Sequence, residues 1–204
     1  MQKVASELNE RHIDLLLLGG DFSMRDNHYQ GTLGQISLIT ATDGIFGIEG
    51  NHDDYRRLFA MKEYLGIIPL DNSGLQIRNG FYLGGVRDLW NRTPNITEAV
   101  SGVGADDFVL LLSHNPDIFM TQPTGADLML SGHTHNGQIT FFGLPFYLLR
   151  GSITNYGMRF SHGFSYSVDN VPIFVSNGIG TYYNVPRIFS RPEVIIFTMY
   201  NSEQ

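Results

Sequence analysis

The chain has 204 residues, of which 42% are hydrophobic and 16% charged, and its formal net charge is -7. This length and apolar content allow one sizeable core and argue against disorder. The acidic balance, with 13 scattered Lys and Arg residues, leaves no electrostatic footprint for nucleic acid. Because the chain has no cysteine, disulfides and thiolate metal sites are excluded, and any metal ligands must be nitrogen or oxygen donors.

Membrane and targeting signals are also missing from these residues. No uninterrupted apolar run approaches the roughly 20 residues that span a bilayer, and the first residues have no signal-peptide pattern. We therefore expect a soluble, cytoplasmic chain that folds as one domain over residues 1–204.

Helical and strand patterns alternate along the first two thirds of the chain. They predict helices over 2–11, 31–40 and 55–65, and buried strands over 13–18, 45–48, 108–112 and 127–130. A hairpin is predicted for strands 75–78 and 81–86, joined across Asn79-Gly80. The last third is predicted as strands over 141–142, 146–149, 164–168, 172–176 and 194–199. This order favours a mixed α/β domain in which two sheets pack together under helices.

Four of the predicted strands end in loops with candidate metal ligands. The loops carry Asp21, Asn51 with His52, His114, and His133 with His135. Because ligands in α/β sheets collect at the carboxyl ends of strands, these loops would converge on one crevice. Each residue alone could cap a helix or form a turn, but four strand ends that all carry a nitrogen or oxygen donor are hard to assign to capping.

His133 and His135 are separated by one residue directly after the apolar run 128–130. In an extended segment their side chains would share a face roughly 6.5 Å apart, which suits two imidazoles on neighbouring metal ions. The structural alternative is a pair of polar loop residues hydrogen-bonded to the backbone.

Together these motifs resemble the calcineurin-like metallophosphoesterase family, and most closely its bacterial YkuE-like branch. The matching segments are Gly20-Asp21, Gly50-Asn51-His52-Asp53, Ser113-His114-Asn115-Pro116-Asp117, Gly132-His133-Thr134-His135 and Arg191-Pro192-Glu193-Val194. The resemblance extends from Ile13 to the C-terminus. It implies an α/β fold, a four-layer α/β/β/α sandwich of the metallo-dependent phosphatase type, with the first β-strand missing.

The resemblance also implies a two-metal centre. Asp21 would bridge the two metals, and His135 would bind the first. The other ligands of the second metal would be Asn51, His114 and His133. Carboxylate, amide and imidazole donors suit Mn, Fe or Zn, as divalent or trivalent ions.

Two further residues receive catalytic roles from the same resemblance. His52 would lie beside the leaving oxygen as an acid or phosphate stabiliser, and Asp53 would orient it. Asn51 and His52 would also contact substrate. His28 is a further candidate for substrate binding, because its loop leaves the strand that precedes Asp21.

One departure from the family concerns the start of the chain. The family's first motif, Asp-x-His, does not occur before Asp21, and a parallel β-α-β unit needs a strand ahead of its first helix. We interpret the chain as N-terminally truncated relative to the family. The first metal then keeps only Asp21 and His135, which predicts at most one well-occupied site and weak activity. Unpaired sheet edges predict a homodimer.

The predicted function is that of a metallophosphoesterase, which hydrolyses phosphate mono- or diesters through a metal-bound hydroxide. The alternative is a non-catalytic metal- or phosphate-binding remnant of the same fold. The expected partner is a phosphate ester, with no nucleic acid.

Two apolar or aromatic segments leave an alternative open. Residues 141–149 are favoured as a buried strand pair. The alternative is an apolar lip that admits a lipid phosphate or another membrane-associated substrate. In that case we expect full-length relatives to be associated with membranes. Trp90 and Arg87 flank Asp88, and a structural loop is favoured there over a rim contact to substrate.

Overall fold

The computed structural model describes residues 2–22, 26–54, 56, 60, 65–146, 153–182 and 185–200, with the side chains of 26–30 left out. The α-helices in this part are α1 (Gln2–Glu10), α2 (Asp26–Ile36) and α3 (Ile96–Ala99). The strands are β1 (Leu15–Leu18), β2 (Gly44–Gly47), β3 (Ile67–Pro69), β4 (Ser73–Arg78), β5 (Phe81–Gly85), β6 (Phe108–Ser113), β7 (Leu128–Ser131), β8 (Thr140–Phe141), β9 (Leu144–Pro145), β10 (Gly163–Tyr166) and β11 (Pro172–Val175). Short 3-10 helices cover Pro116–Met120, His135–Gly137 and Gly157–Phe160.

The first sheet is parallel and has the strand order β1-β2-β3. Its strands are short apolar runs, as expected for parallel strands that are covered on both faces. On one face, Leu33 and Ile36 of α2 pack with Ile67 of β3. Beside them, Ala5 and Leu8 of α1 pack against Leu16 of β1. The two helices therefore cover the outer face of this sheet.

The second sheet has the order β10-β11-β7-β6-β5-β4. Its four central strands are mutually parallel, and the two edge strands run antiparallel to their neighbours. The predicted hairpin is confirmed as β4 and β5, and Gly80 in its turn has φ 76°. Glycine adopts this left-handed conformation at no steric cost, which explains why the two-residue turn forms here.

The two sheets pack face to face. Phe46 of β2 and Ile48 directly after it pack against the second sheet. Their partners there are Leu83 of β5 and Leu110 and Leu112 of β6, and all five side chains are buried. Full burial of each such side chain contributes about 1.5–3 kcal/mol.

Helices cover the far face of the second sheet as well. Ile96 of α3 packs there, together with Phe119 of the 3-10 helix and Met129 of β7. With α1 and α2 on the other side, the order of layers is α/β/β/α, and the predicted four-layer sandwich is confirmed.

Several element bounds differ from the predictions. Helix α2 begins five residues before the predicted start at 31 and ends at Ile36, because its first turns are polar and lack the apolar period that marks a helix. Strand β3 was not predicted, since only three residues pair and Pro69 closes them. The predicted helix over 55–65 lies mostly outside the described residues. Its described members, Arg56, Ala60 and Leu65, are helical.

The predicted strand over 194–199 is wrong. These residues form no ladder with any strand in the described part of the chain, and several of their apolar side chains are exposed. An apolar pattern that alternates is not enough, because a strand also needs a partner edge that lies beside it.

In the part of the chain that the structure describes, no helix has the length and apolar character required to cross a bilayer.

Candidate metal centre

The candidate ligands come together where the two sheets meet. Asp21 and Asn51 follow β1 and β2 of the first sheet, while His114 and His133 follow β6 and β7 of the second. Neighbouring parallel strands end at the same edge of a sheet, so each sheet delivers two of these residues to one place. The predicted convergence of four strand exits is therefore present in the structure.

Four donor atoms of this cluster lie very close together. His114 Nε2 is 3.3 Å from Asp21 Oδ2 and 3.2 Å from Asn51 Oδ1. His133 Nδ1 is 2.9 Å from the same Asn51 oxygen and 3.3 Å from His114 Nε2. Ligand bonds of about 2.1 Å place neighbouring donors roughly 3.0–3.4 Å apart in octahedral or tetrahedral geometry. The spacing of these donors thus fits a single transition-metal ion.

The far nitrogen of each imidazole lies against a backbone carbonyl. His114 Nδ1 is 2.7 Å from the Gly19 oxygen, and His133 Nε2 is 3.2 Å from the Ile153 oxygen. A carbonyl only accepts, so these nitrogens carry protons, and the opposite nitrogen of each ring is the one that can bind a metal. Both of those nitrogens face the cluster.

The amide of Asn51 is an essential member of this set. When only His, Cys, Asp and Glu side chains are considered, the described residues contain no group of three or more that is arranged to hold a metal ion. The Asn51 oxygen lies within 3.2 Å of both imidazoles. The candidate centre therefore depends on an amide oxygen, a ligand type that suits Mn and other hard cations.

The protonation of the cluster follows from its burial and its charges. Burial alone would raise the pKa of Asp21, but the charge of His114 and its hydrogen bond lower that pKa below the usual range. Burial would lower the pKa of His114, and the charge of Asp21 outweighs it and raises the pKa to about 9. Burial and the charge of His114 lower the pKa of His133 to about 3. Without a cation, the site thus holds an Asp21–His114 ion pair beside a neutral His133, and metal binding would displace the proton from His114.

Asp53 ties the loop of Asp21 to the loop of Asn51. Its Oδ2 accepts the backbone N–H groups of Asp21 at 2.7 Å and Gly50 at 2.9 Å, and its Oδ1 accepts that of Phe22 at 2.9 Å. Burial raises its pKa to about 6, and the nearby charge of Asp21 adds to this. Its described contacts are with these three backbone groups, so its predicted role in orienting His52 stays a prediction.

Two glycines allow the same loops to approach each other. A Cβ at Gly20 would meet backbone atoms of Glu49 and Gly50, and one at Gly50 would meet the Asp21 carboxylate. Gly20 also has φ 89°. The glycines in the Gly20-Asp21 and Gly50-Asn51 motifs are therefore required by the close contact of the two loops.

His52 lies beside the cluster. Its backbone N–H donates to Asp21 Oδ1 at 2.9 Å, and its ring is 5.6 Å from the ring of Tyr182. The backbone bond fixes the position of the His52 backbone relative to the candidate ligands.

His135 has different neighbours from His133. Its Nδ1 is 3.1 Å from Arg187 Nη2, and its backbone oxygen accepts the hydroxyl of Ser190 at 2.8 Å. Burial and the charge of Arg187 lower its pKa to about 4. A guanidinium group beside this imidazole opposes the binding of a second cation on this side.

The prediction of an extended His-x-His segment is wrong. His133 and His135 have φ 68° and 51°, and the 3-10 helix His135–Gly137 begins at the second of them. Thr134 between them has φ -78°, so the backbone alternates in hand here and the two rings are not placed by strand alternation. His28, the remaining candidate, lies in α2, and its side chain is outside the described ones.

Sequence reasoning undervalued the loop that follows β5. Trp90 is 4.5 Å from His133 between ring centroids, and Asn91 donates through Nδ2 to the Asn51 backbone oxygen at 2.5 Å. The sequence did hold one signal for this loop, which is its place directly after β5. Because β5 runs parallel to β6, it must also end at the edge of the sheet that carries the site. Arg187 was also missed, because nothing near it in the sequence links it to His135.

The favoured interpretation of residues 141–149 as a buried strand pair is wrong where the structure describes them. Phe141, Phe142 and Leu144 are exposed on the short β8–β9 ribbon, whereas Pro145 is buried and Phe146 is half-buried. Residues 147–149 lie outside the described part.

Comparison with known proteins identifies the same family that the sequence motifs resemble. A family model described as calcineurin-like phosphoesterase matches residues 1–137. An uncharacterized metallophosphoesterase of Helicobacter pylori is 28% identical over 95% of this chain and 53% of its own length. The Bacillus subtilis metallophosphoesterases YkoQ and YkuE are each 30% identical, over 91% and 98% of this chain and 72% of their own lengths. The chain thus spans about half the length of the Helicobacter pylori relative. No solved structure matches.

Proposed function

The chain belongs to the calcineurin-like phosphoesterase family, and we propose on this premise that it hydrolyses phosphate esters with the help of a bound metal ion. The observation that carries the proposal is the cluster of Asp21, Asn51, His114 and His133. Its donor atoms are 2.9–3.3 Å apart, and both outer imidazole nitrogens lie against carbonyls. This arrangement is preorganised for one cation.

A Mn, Fe or Zn ion held by these residues would supply Lewis-acid stabilisation for a phosphoryl group and would acidify water. The chain's own residues then bind and orient the ester. Because Oδ1 of Asn51 faces the two imidazoles, its Nδ2 group is the part of the amide that can donate to a phosphoryl oxygen. His52, held by its backbone bond to Asp21, would donate a proton to the leaving oxygen.

A second ion on the His135 side is the less favoured half of the proposal. Arg187 lies within 3.1 Å of the His135 ring. This contact favours a centre with one tightly held ion and weak turnover. Because a centre with one ion could bind phosphate without turnover, the second candidate is a non-catalytic metal- or phosphate-binding domain.

The two candidates are separated by measuring hydrolysis and metal content on the same samples. We expect 4-nitrophenyl phosphate to be hydrolysed in the presence of Mn²⁺, and His52→Ala to lower the rate about 10²- to 10⁴-fold with metal retained. His12→Ala is a matched control, because His12 is exposed at the end of α1. A metal-loaded protein that does not hydrolyse any aryl or alkyl phosphate would contradict the enzyme and support the binding domain.

A further inference from the structure

The single tryptophan of the chain lies on the rim of the candidate centre. The Trp90 ring is nearly perpendicular to the His133 ring, at 85°, with centroids 4.5 Å apart. Its side chain is nevertheless 55% exposed. A large aromatic ring that contacts a candidate ligand on one side and solvent on the other is available to a molecule bound in the site.

The loop that carries Trp90 is firmly held. The backbone N–H groups of Trp90 and Asn91 both donate at 2.9 Å to Oδ2 of Asp88, which is fully buried. Arg92 then forms ion pairs with Asp71 at 2.7 Å and Glu49 at 3.2 Å. These bonds hold the backbone in place on both sides of the indole, so little conformational entropy is lost when a ligand stacks on it.

A second exposed aromatic ring lies at the other end of the same series of contacts. Tyr182 is 44% exposed and lies 5.6 Å from the His52 ring. His52 is bonded to Asp21, Asp21 contacts His114, and His114 contacts His133, which meets Trp90. Both ends of the candidate centre therefore carry an accessible aromatic side chain next to an imidazole.

We propose that Trp90 and Tyr182 form an aromatic rim, and that a planar ring in the leaving group of the substrate stacks on the Trp90 face of this rim. The substrate class is then an aryl or nucleoside phosphate rather than a simple alkyl phosphate. The inference rests on the proposed function for the phosphoester, while the rim itself can be tested by binding alone. Stacking of one planar ring on an aromatic side chain is sufficient for about tenfold selectivity over a ligand without a ring.

The charge of the protein limits the size of this ligand. A net charge of -7 disfavours the binding of a polyanionic nucleic-acid strand. A small molecule with one ring and one phosphate group can contact both the rim and the cation site with much less charge repulsion than a polynucleotide.

The fluorescence of Trp90 tests the rim directly, because no other tryptophan contributes to the signal. We expect AMP and phenyl phosphate to quench and shift the emission of the Mn²⁺-supplied protein, and glycerol 1-phosphate and inorganic phosphate to bind without comparable quenching. Equal spectral changes with all four molecules would overturn the proposal.

Variants test whether the ring contact produces selectivity. By calorimetry, Trp90→Leu should reduce the ratio of phenyl phosphate to glycerol phosphate affinity about tenfold, and Trp90→Phe should restore most of it. Tyr182→Leu should reduce the ratio by a smaller factor. Tyr166→Leu is the control, since Tyr166 is an exposed aromatic residue on β10. A purely structural role for Trp90 would lower both affinities equally, leave the ratio unchanged and overturn the proposal.

The failure of this inference and that of the proposed function have different signatures. Ring-selective binding without hydrolysis of any ester would remove the enzymatic function and leave the aromatic rim intact. Hydrolysis of phenyl and glycerol phosphates with equal efficiency would leave the function intact and remove the rim.

Discussion

His133 and His135 are one residue apart in the sequence, yet they belong to two unlike halves of the candidate centre. His133 Nδ1 lies 2.9 Å from Asn51 Oδ1 and 3.3 Å from His114 Nε2. His135 directs Nδ1 at Arg187. One half collects electron-pair donors and carries a proton on His114 that a metal ion can displace, whereas the other contains the permanent charge of Arg187. The difference shows that neighbouring residues, more than the motif, determine the charge around each imidazole.

The guanidinium group on the His135 side is part of the architecture of its loop. Arg187 donates to the backbone oxygens of Asn177, Gly178 and Gly180 and lies close to that of His135. These bonds tie the segment after β11 to the 3-10 helix after β7. Removing the charge would therefore also loosen the loop, and the two effects must be measured separately.

The largest effect should come from exchanging the two histidines for alanine. We expect His133→Ala to weaken the binding of the first Mn²⁺ ion more than about 100-fold, because it removes a donor from the cluster. His135→Ala should change that affinity less than about fivefold. Isothermal titration calorimetry gives both values, and equal losses for the two variants would mean that the halves are alike.

Asp53→Asn should produce the next largest effect. An amide has one acceptor oxygen where the carboxylate has two, so the bonds to the N–H groups of Asp21, Phe22 and Gly50 cannot all be kept. The free energy of unfolding should fall by about 1–3 kcal/mol, and the affinity for the first ion by about 10- to 100-fold. Chemical denaturation and calorimetry measure these quantities, with the exposed Asp106→Asn as control. Unchanged metal affinity would show that the position of Asp21 does not depend on this carboxylate.

A moderate effect is expected from Arg187→Gln. Glutamine keeps a donor for the surrounding carbonyls and removes the charge beside His135, so a second ion should bind about tenfold more tightly. Metal content after dialysis against a series of Mn²⁺ concentrations measures this change. Arg159→Gln is the matched control, because Arg159 is exposed and donates to the backbone oxygen of Tyr166. If the second ion binds as weakly as before, the geometry of the His135 side is the obstacle, and its charge is not.

Ser190→Ala should have the smallest effect. It removes the 2.8 Å hydrogen bond from the Ser190 hydroxyl to the His135 backbone oxygen. The free energy of unfolding should fall by about 0.5–1.5 kcal/mol, while the affinity for the first ion stays unchanged. Thermal denaturation with and without Mn²⁺ provides the measurement, and a loss of first-ion affinity would show that the two halves are coupled.

The fold and the half of the site that contains His133 could be predicted because they depend on local patterns. Apolar runs marked the parallel strands, and the residues directly after four of them, such as Asp21 and His114, converge because parallel strands end at one edge. The contact of the His135 ring with a positive charge could not be predicted in this way. It depends on Arg187, which is distant in sequence, and on backbone angles that residue types do not determine. The unpaired segment 194–199 shows the same limit, since pairing is decided by what lies beside a strand.

The backbone of the loop after β7 has a consequence for how this protein can change. His133, His135, Asn136 and Gln138 all have φ between 50° and 68°, a conformation that glycine adopts with less strain. Glycine at His133 or His135 would relax the backbone locally, but it would also remove an imidazole of the candidate centre. The loop would then be less strained, and the candidate centre would have one donor fewer. Backbone strain at candidate ligands is the pattern expected where a functional side chain is kept at some cost in stability.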